Sequence, residues 1–259
     1  MPGAERKLQW QPVRLLRRHS RTLSGLLLLG VLAVLTAAGL RSLTDPRYFP
    51  LGVVEITGEF RYLDREQLQQ AIVPFVHSGF FSVDVAAVRR VAEQLPWVHR
   101  ASVQRVWPET LRIQIEEQQP VVHWRESGFL NPQGIAFFPE HGASGLELPW
   151  LSGPAGQERR VLEQYHRVRA VLAALGLDLQ RLTIDERRAM QLQLAGGVQL
   201  DLGRAQPWQR LERFVRAWPE VLAARQSQLR SIDLRYSDGF SVVWEPQVSQ
   251  DGTSAERAG

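Results

Sequence analysis

Cysteine is missing altogether, and lysine occurs once among 31 basic residues. Without cysteine there is no disulfide, no thiol nucleophile and no thiolate metal site, so an exported form of this chain must take its stability from packing and sheet pairing. The shortage of lysine reads as codon bias more than chemistry, although arginine-rich faces suit interfaces. Catalytic signatures are lacking too: there is no HExxH, no GxSxG and no P-loop. The six histidines (His19, His77, His99, His123, His141, His166) are scattered, and none stands at ligand spacing from another His, Asp or Glu. Glu116-Glu117 is a tight acid pair of the body, and neighbours on a strand point to opposite faces. These absences argue against an enzyme and lead to the expectation of no cofactor and no metal site.

Only one long uncharged run is present, Thr22–Leu40 (TLSGLLLLGVLAVLTAAGL). As a helix its 19 residues span about 28 Å, close to the ~30 Å hydrocarbon core of a bilayer. Before it lie Arg6, Lys7, Arg14, Arg17, Arg18 and Arg21 against a single acid, Glu5. Basic flanks stay cytoplasmic, so the head is expected inside and the body exported. A cleaved signal peptide, with a small-residue site near Ala37-Ala38-Gly39, is the competing reading, but the run exceeds the ~7–15 residues of a signal core. From Arg41 onward there are 25 basic and 26 acidic residues, so the sequence pI of about 10.1 belongs to the head. A nucleic-acid-binding reading thereby loses its main support.

The expected layout is a basic head (1–21), a membrane helix (22–40), a linker with two prolines (41–50), a first domain (51–119), a second domain (120–246) and a tail (247–259) of low apolar content and hence disorder. Leu51–Thr57 reads as a strand. A helix follows over Arg65–Val73, capped by Asp64 and stopped by Pro74, and another from Asp84 to Pro96. Strands over Val98–Val106 and Thr110–Glu116 complete a β-α-α-β-β module of class α+β, with both helices on one face of a three-stranded sheet. In the second half, short strand-like pieces lie between Val121 and Leu151. A helix spans Val161–Leu175 with Gly176 at its end, a hairpin turns at Gly196-Gly197, and a helix over Trp208–Ala224 is kinked or broken at Pro219.

The stretch Ser231–Glu245 (SIDLRYSDGFSVVWE) predicts a terminal hairpin. A three-residue loop at Ser237-Asp238-Gly239 sets 236 opposite 240, 234 opposite 242 and 232 opposite 244, and puts all six apolar side chains on one face. A terminal strand has no later neighbour in sequence, and Phe240–Trp244 carries no internal charge. Two readings stand: an edge that recruits another chain, or a core-facing strand covered elsewhere in the fold.

Three stretches, Gly79-Phe80-Phe81-Ser82-Val83-Asp84, Leu95-Pro96-Trp97-Val98 and Val106-Trp107-Pro108-Glu109-Thr110-Leu111, resemble the POTRA domain of the FtsQ/DivIB cell-division proteins. Ile232-Asp233-Leu234-Arg235-Tyr236 with Trp244-Glu245-Pro246 is similar to the end of the adjoining β domain of that family, and Leu200-Asp201-Leu202-Gly203-Arg204 with Leu211-Glu212-Arg213-Phe214 adds to the likeness. The resemblance covers about residues 15–246. It implies a single-pass inner-membrane protein, cytoplasmic at its N-terminus, periplasmic in its body and enriched at the division septum. It also implies a mixed α/β second domain built on an antiparallel sheet. The implied role is that of a non-enzymatic divisome scaffold that joins FtsB and FtsL and links early and late division proteins during septal peptidoglycan synthesis. By the same likeness FtsB adds a strand to the last β strand. Tyr236 and Trp244 lead the implied contacts, Arg235 and Phe240 follow, Arg187 and Arg188 meet acidic partner side chains, and the POTRA domain takes other divisome partners. Core packing is the plain alternative for Tyr236 and Trp244, and a solvated turn for the arginine pair. Two other functions stay open: a POTRA-bearing export or envelope-assembly factor, and a periplasmic cell-wall enzyme.

Overall fold

The computed structural model describes residues 16–44, 47, 49–141 and 145–245. Most of the expected basic head and the whole expected tail, 247–259, lie outside the described residues. Helix α1, Leu16–Thr44, contains the whole uncharged run and continues through the first residues of the expected linker. Its window Gly25–Ser42 has mean hydropathy 1.8 and no buried residue, so the helix is long and apolar enough to cross a membrane.

The chain forms two compact units. The first contains Met1–Gly58, Arg65–Gln94 and Arg100–Ile115. Strand β1 (Val53–Thr57), helix α2 (Arg65–Ile72), helix α3 (Val85–Glu93) and strands β2 (Val98–Val106) and β3 (Thr110–Glu117) follow the expected order. The sheet runs β1-β3-β2, with β1 parallel to β3. Along β3, Leu111, Ile113 and Ile115 are buried while the intervening residues are exposed, the period-two pattern of a sheet covered on one side. On its wet side Arg112 Nε meets Glu55 Oε2 at 2.9 Å across the β1–β3 pair. The Asp84 carboxylate caps α3, accepting from Ala86 N and Ala87 N at 3.0 Å each. Pro74 ends α2 as expected, and the chain passes into one 3₁₀ turn, Val73–Phe75.

The second unit comprises Glu59–Asp64, Leu95–His99 and the chain from Glu116 on. Its sheet has nine strands: β4 (Val122–Trp124), β5 (Gly128–Leu130), β6 (Ala136–Phe137), β7 (Trp150–Ser152), β8 (Leu179–Ile184), β9 (Met190–Leu194), β10 (Gln199–Gly203), β11 (Leu229–Asp233) and β12 (Ser241–Trp244). They are ordered β12-β11-β10-β9-β8-β7-β4-β5-β6. Five neighbouring pairs are antiparallel, and β4–β7, β7–β8 and β10–β11 are parallel. Strand β8 has no counterpart in the sequence reading. Its core residues Leu179 and Leu182 are three apart, because a bulge between Leu179 and Arg181 breaks the alternation that would announce a strand.

Helix α4 (Glu158–Ala173) buries Val161, Leu162, Tyr165, Val168 and Leu172. Gly176, left-handed at φ 72°, lets Leu177 N donate to Leu172 O (3.1 Å) and Gly176 N to Ala173 O (3.0 Å), which closes the helix. Helix α5 (Pro207–Ala217) buries Leu211 and Phe214. At Pro219 the chain neither stops nor continues as α-helix. It forms a π-helical turn, Trp218–Leu222, with Ala223 N bonded to Trp218 O, and then a 3₁₀ segment, Ala223–Gln228. These stripes pack with Leu182, Leu192, Leu194, Leu200, Leu202 and Ile232 of the sheet into one core. Trp97 is buried in this unit as well, stacked on Tyr62 (4.7 Å between centroids) and donating from Nε1 to His141 O at 2.8 Å. The Glu117 carboxylate takes the backbone N–H groups of Arg61, Tyr62 and Leu63.

Phe214 is fully buried at the centre of this core. Phe214→Ala is expected to lower unfolding stability by about 3–5 kcal/mol, measured by urea denaturation.

Candidate functional site

The terminal hairpin exists, in a register that differs from the expected one. Ile232 pairs with Val242, Asp233 with Ser241, Ser231 with Val243 and Leu229 with Trp244. The strands separate at Asp233 and rejoin at Ser241, so seven residues, 234–240, form the connection in place of three. The cause lies in who takes the backbone groups. Leu234 N donates to Asp201 O at 2.9 Å, toward β10 and away from β12. Two arginines on one face of α5 take the carbonyls: Arg210 donates to Leu202 O and Arg235 O (2.7 Å each), and Arg213 Nη1 donates to Tyr236 O and Gly239 O (3.0 Å each). Carbonyls 235, 236 and 239 are therefore bound to helix guanidinium groups. The shift of two residues keeps Ile232 and Val242 facing the same way but carries Tyr236 out of the strand, so the six apolar side chains do not share one face.

Arg235 lies over the paired strand ends. Its Nη2 stands 2.7 Å and its Nε 2.9 Å from the Asp233 carboxylate, and Nε is 3.4 Å from Asp201 Oδ2. Asp201 and Asp233 are direct partners across β10 and β11, so two carboxylates converge on one guanidinium. Hydrogen bonding to Arg235 holds the Asp233 carboxyl below its ordinary value of 3.8, and Asp233 in turn raises the Arg235 guanidinium. Gly203, at φ 64°, leaves room for this packing: a Cβ there would lie 2.9 Å from Arg210 Nη1 and 3.1 Å from Arg235 Cγ.

Strand β12 ends the nine-stranded sheet, so one side of its backbone has no strand neighbour among the described residues. Its residues alternate in exposure. Val242 and Trp244 turn inward and are half-buried against the core, as is Phe240 just before the strand, whereas Ser241 and Val243 are exposed. Arg225 lies over the Trp244 ring, 5.8 Å from its centroid. Tyr236, 58% exposed, is the free aromatic of the connection. Arg187 and Arg188 are exposed at the β8–β9 turn, where Arg188 adopts φ 65°. That turn is framed by Asp185 Oδ1, which accepts from Ala189 N at 2.7 Å.

Strand registers bring most of the sequence candidates to one end of the sheet. Ile184 pairs with Met190, Met190 with Gly203, Asp201 with Asp233 and Asp233 with Ser241. Arg187, Arg188, Arg235, Tyr236 and Phe240 all lie beyond that end, and Trp244 is at the opposite end of β12. Sequence reasoning missed the carboxylates Asp201 and Asp233 and the clamps Arg210 and Arg213. Only the spacing of three between the two arginines hints that they share a helix face. Among the described residues no cluster of three or more His, Asp or Glu is placed to hold a metal ion.

A family model described as the C-terminal region of cell division protein FtsQ/DivIB matches residues 122–235, and one described as an FtsQ-type POTRA domain matches residues 49–118. Cell division protein FtsQ of Allochromatium vinosum is 36% identical over 224 residues, 85% of this chain and 90% of that protein. The protein of the same name from Shewanella oneidensis is 37% identical over 202 residues, 78% of this chain and 77% of its own. That of Bordetella pertussis is 32% identical, covering 92% of this chain and 93% of its own.

Arg213→Ala is expected to raise amide exchange at residues 236–240 well above that of β11, with little change in the global unfolding midpoint, read by hydrogen–deuterium exchange and thermal denaturation. The Asp233 carboxyl is depressed, so its contribution is complete above pH 3.8 and is lost as pH falls through its lower folded value. The Arg235 Nε–H resonance is accordingly expected to hold its shift from pH 8 to pH 5 and to move only below about pH 3.8.

Proposed function

This chain belongs to the FtsQ/DivIB family of cell division proteins, and from it we propose a non-enzymatic scaffold that captures a partner strand on β12. In this reading α1 crosses the inner membrane with its basic head in the cytoplasm, and both units lie in the periplasm at the division septum. The partners are FtsB, by strand addition to β12, and FtsL. Through them the protein links early and late components of the septal peptidoglycan machinery, while the POTRA domain receives other divisome proteins.

The observation that carries the reading is the edge position of β12 beside an exposed Tyr236 on a clamped connection. An unpaired edge supplies backbone donors and acceptors, which give affinity without sequence selectivity. Selectivity needs side chains, and the fixed Arg235 and exposed Tyr236 supply a charge and an aromatic anchor at the start of that edge. Trp244 and Phe240 contribute from beneath, because their rings are half-buried and support the strand. The exposed Arg187 and Arg188, two strands away from β11 or roughly 10 Å, offer charge to acidic partner groups.

Tyr236→Ala is expected to weaken the FtsB-type partner at least tenfold in calorimetry or pull-down while the unfolding midpoint holds. Trp244→Ala weakens the same complex and also lowers the midpoint, because its ring packs against the core. An undiminished pull-down by Tyr236→Ala would remove the contact assignment.

A further inference from the structure

Trp107, at the tip connecting β2 and β3, is 76% exposed, more than any other large apolar side chain among the described residues, those of α1 included. Such exposure of an indole in water is unfavourable, and neither the sheet nor the helices of the first unit explain it. Its position relative to the chain's entry offers a reason. Gly52 N and Val53 N both donate to Glu109 O, at 3.0 and 3.2 Å, so the tip is fastened to the start of β1. Phe49 is fastened as well: its carbonyl accepts from Phe80 N at 2.9 Å and its ring meets Phe81 edge-on at 5.2 Å. Between the end of α1 at Thr44 and Phe49 the chain can extend at most about 18 Å. From Phe49 to Val53 it adds at most about 14 Å, and Glu109 lies two residues from Trp107. The tip is therefore tethered at the membrane-proximal end of the unit. Phe81, 44% exposed, and Val53, 49% exposed, lie on segments held to the same entry. The Glu109 side chain folds back over Gly52, its Cδ 2.8 Å from where a Cβ would stand, and so leaves the indole as the leading group of the tip.

We propose that Trp107 seats in the lipid headgroup layer beside α1 and holds the first unit against the bilayer. An indole suits that layer, with an apolar ring and one N–H donor for a wet, polar boundary. The occupant is lipid because at most about 32 Å of extended chain separates the end of α1 from the tip's attachment at Val53, which keeps the bilayer within reach of the tip in every copy of the protein. The proposal rests on the reading that α1 spans the membrane, and its test separates the two.

Because the chain has no cysteine, a single introduced cysteine reports one position without background. Trp107→Cys, Val34→Cys and Ser237→Cys are prepared in the full chain, each carrying a nitroxide label, in nanodiscs of phosphatidylethanolamine and phosphatidylglycerol. Collision accessibility to oxygen against a water-soluble nickel chelate gives the depth of each label. The expected result is an oxygen-to-chelate ratio at 107 several-fold above that at 237, and highest at 34. A ratio at 107 equal to that at 237, with 34 in lipid, overturns the proposal. So does shielding of 107 from both reagents, which would make the tip a protein-docking site. An aqueous reading at 34 rejects the membrane helix and the proposal with it. As a check with the indole in place, quenching of native fluorescence by brominated lipid should fall in Trp107→Phe, and unchanged quenching also overturns the proposal.

Discussion

Everything at the β12 end of the nine-stranded sheet depends on the parallel pairing of β11 with β10. A parallel neighbour cannot be reached by a tight turn, so the chain must cross the sheet between them. It does so through α5, the π-helical turn at Pro219 and the 3₁₀ segment that follows. That crossover fills the core with Leu211, Phe214, Trp218 and Leu222. It also brings Arg210 and Arg213 over the ends of β10 and β11, where they bind the carbonyls of the final connection. Strand β12 can then pair only on the outside of β11 and becomes the sheet's edge. One topological choice thus produces the covered face, the clamps and the free edge together.

Charge is used differently in each part of the molecule. In the first unit the exposed cross-strand pair Arg112–Glu55 contributes little beyond register. At the strand ends, Asp201, Asp233 and Arg235 trade mobility for position: a guanidinium that would sample many rotamers is held at one place beside the edge. Across the open face of the sheet, His123, Trp150 and Arg181 are successive register partners and stack as a ring, a ring and a cation, with centroid separations of 4.1 and 5.2 Å. Short strands such as β4 and β7 gain cross-strand contact in this way.

Much of this architecture could be read in the sequence, for identifiable reasons. The alternation in Leu111, Ile113 and Ile115 and the helical stripe Leu162, Tyr165, Val168 and Leu172 are local patterns, and each element formed where its pattern stands. Strand β8 escaped because a bulge breaks its alternation, and the fate of Pro219 could not be chosen between kink and break because a π turn depends on tertiary packing. In the final hairpin, the apolar alternation and the terminal position of the last strand were visible. The hairpin register was not, since nothing in Ser237-Asp238-Gly239 reveals that Arg210 and Arg213, more than 20 residues earlier, take the carbonyls that a short loop would leave to itself. Distant side chains bonded to backbone are the part of a fold that local reading reaches least.

The register of β12 has a consequence for how the edge strand can slide. The connection 234–240 sets a register two residues away from that of a three-residue closure, and both closures turn Ile232 and Val242 toward the core while only the shorter one would carry Tyr236 with them. A slip of β12 by two residues along β11 leaves the inward pattern of Val242 and Trp244 intact, whereas a slip of one residue exchanges buried for exposed side chains along the whole strand. The strand thus has two core-compatible positions, two residues apart, and the guanidinium clamps of Arg210 and Arg213 on the connection select one of them.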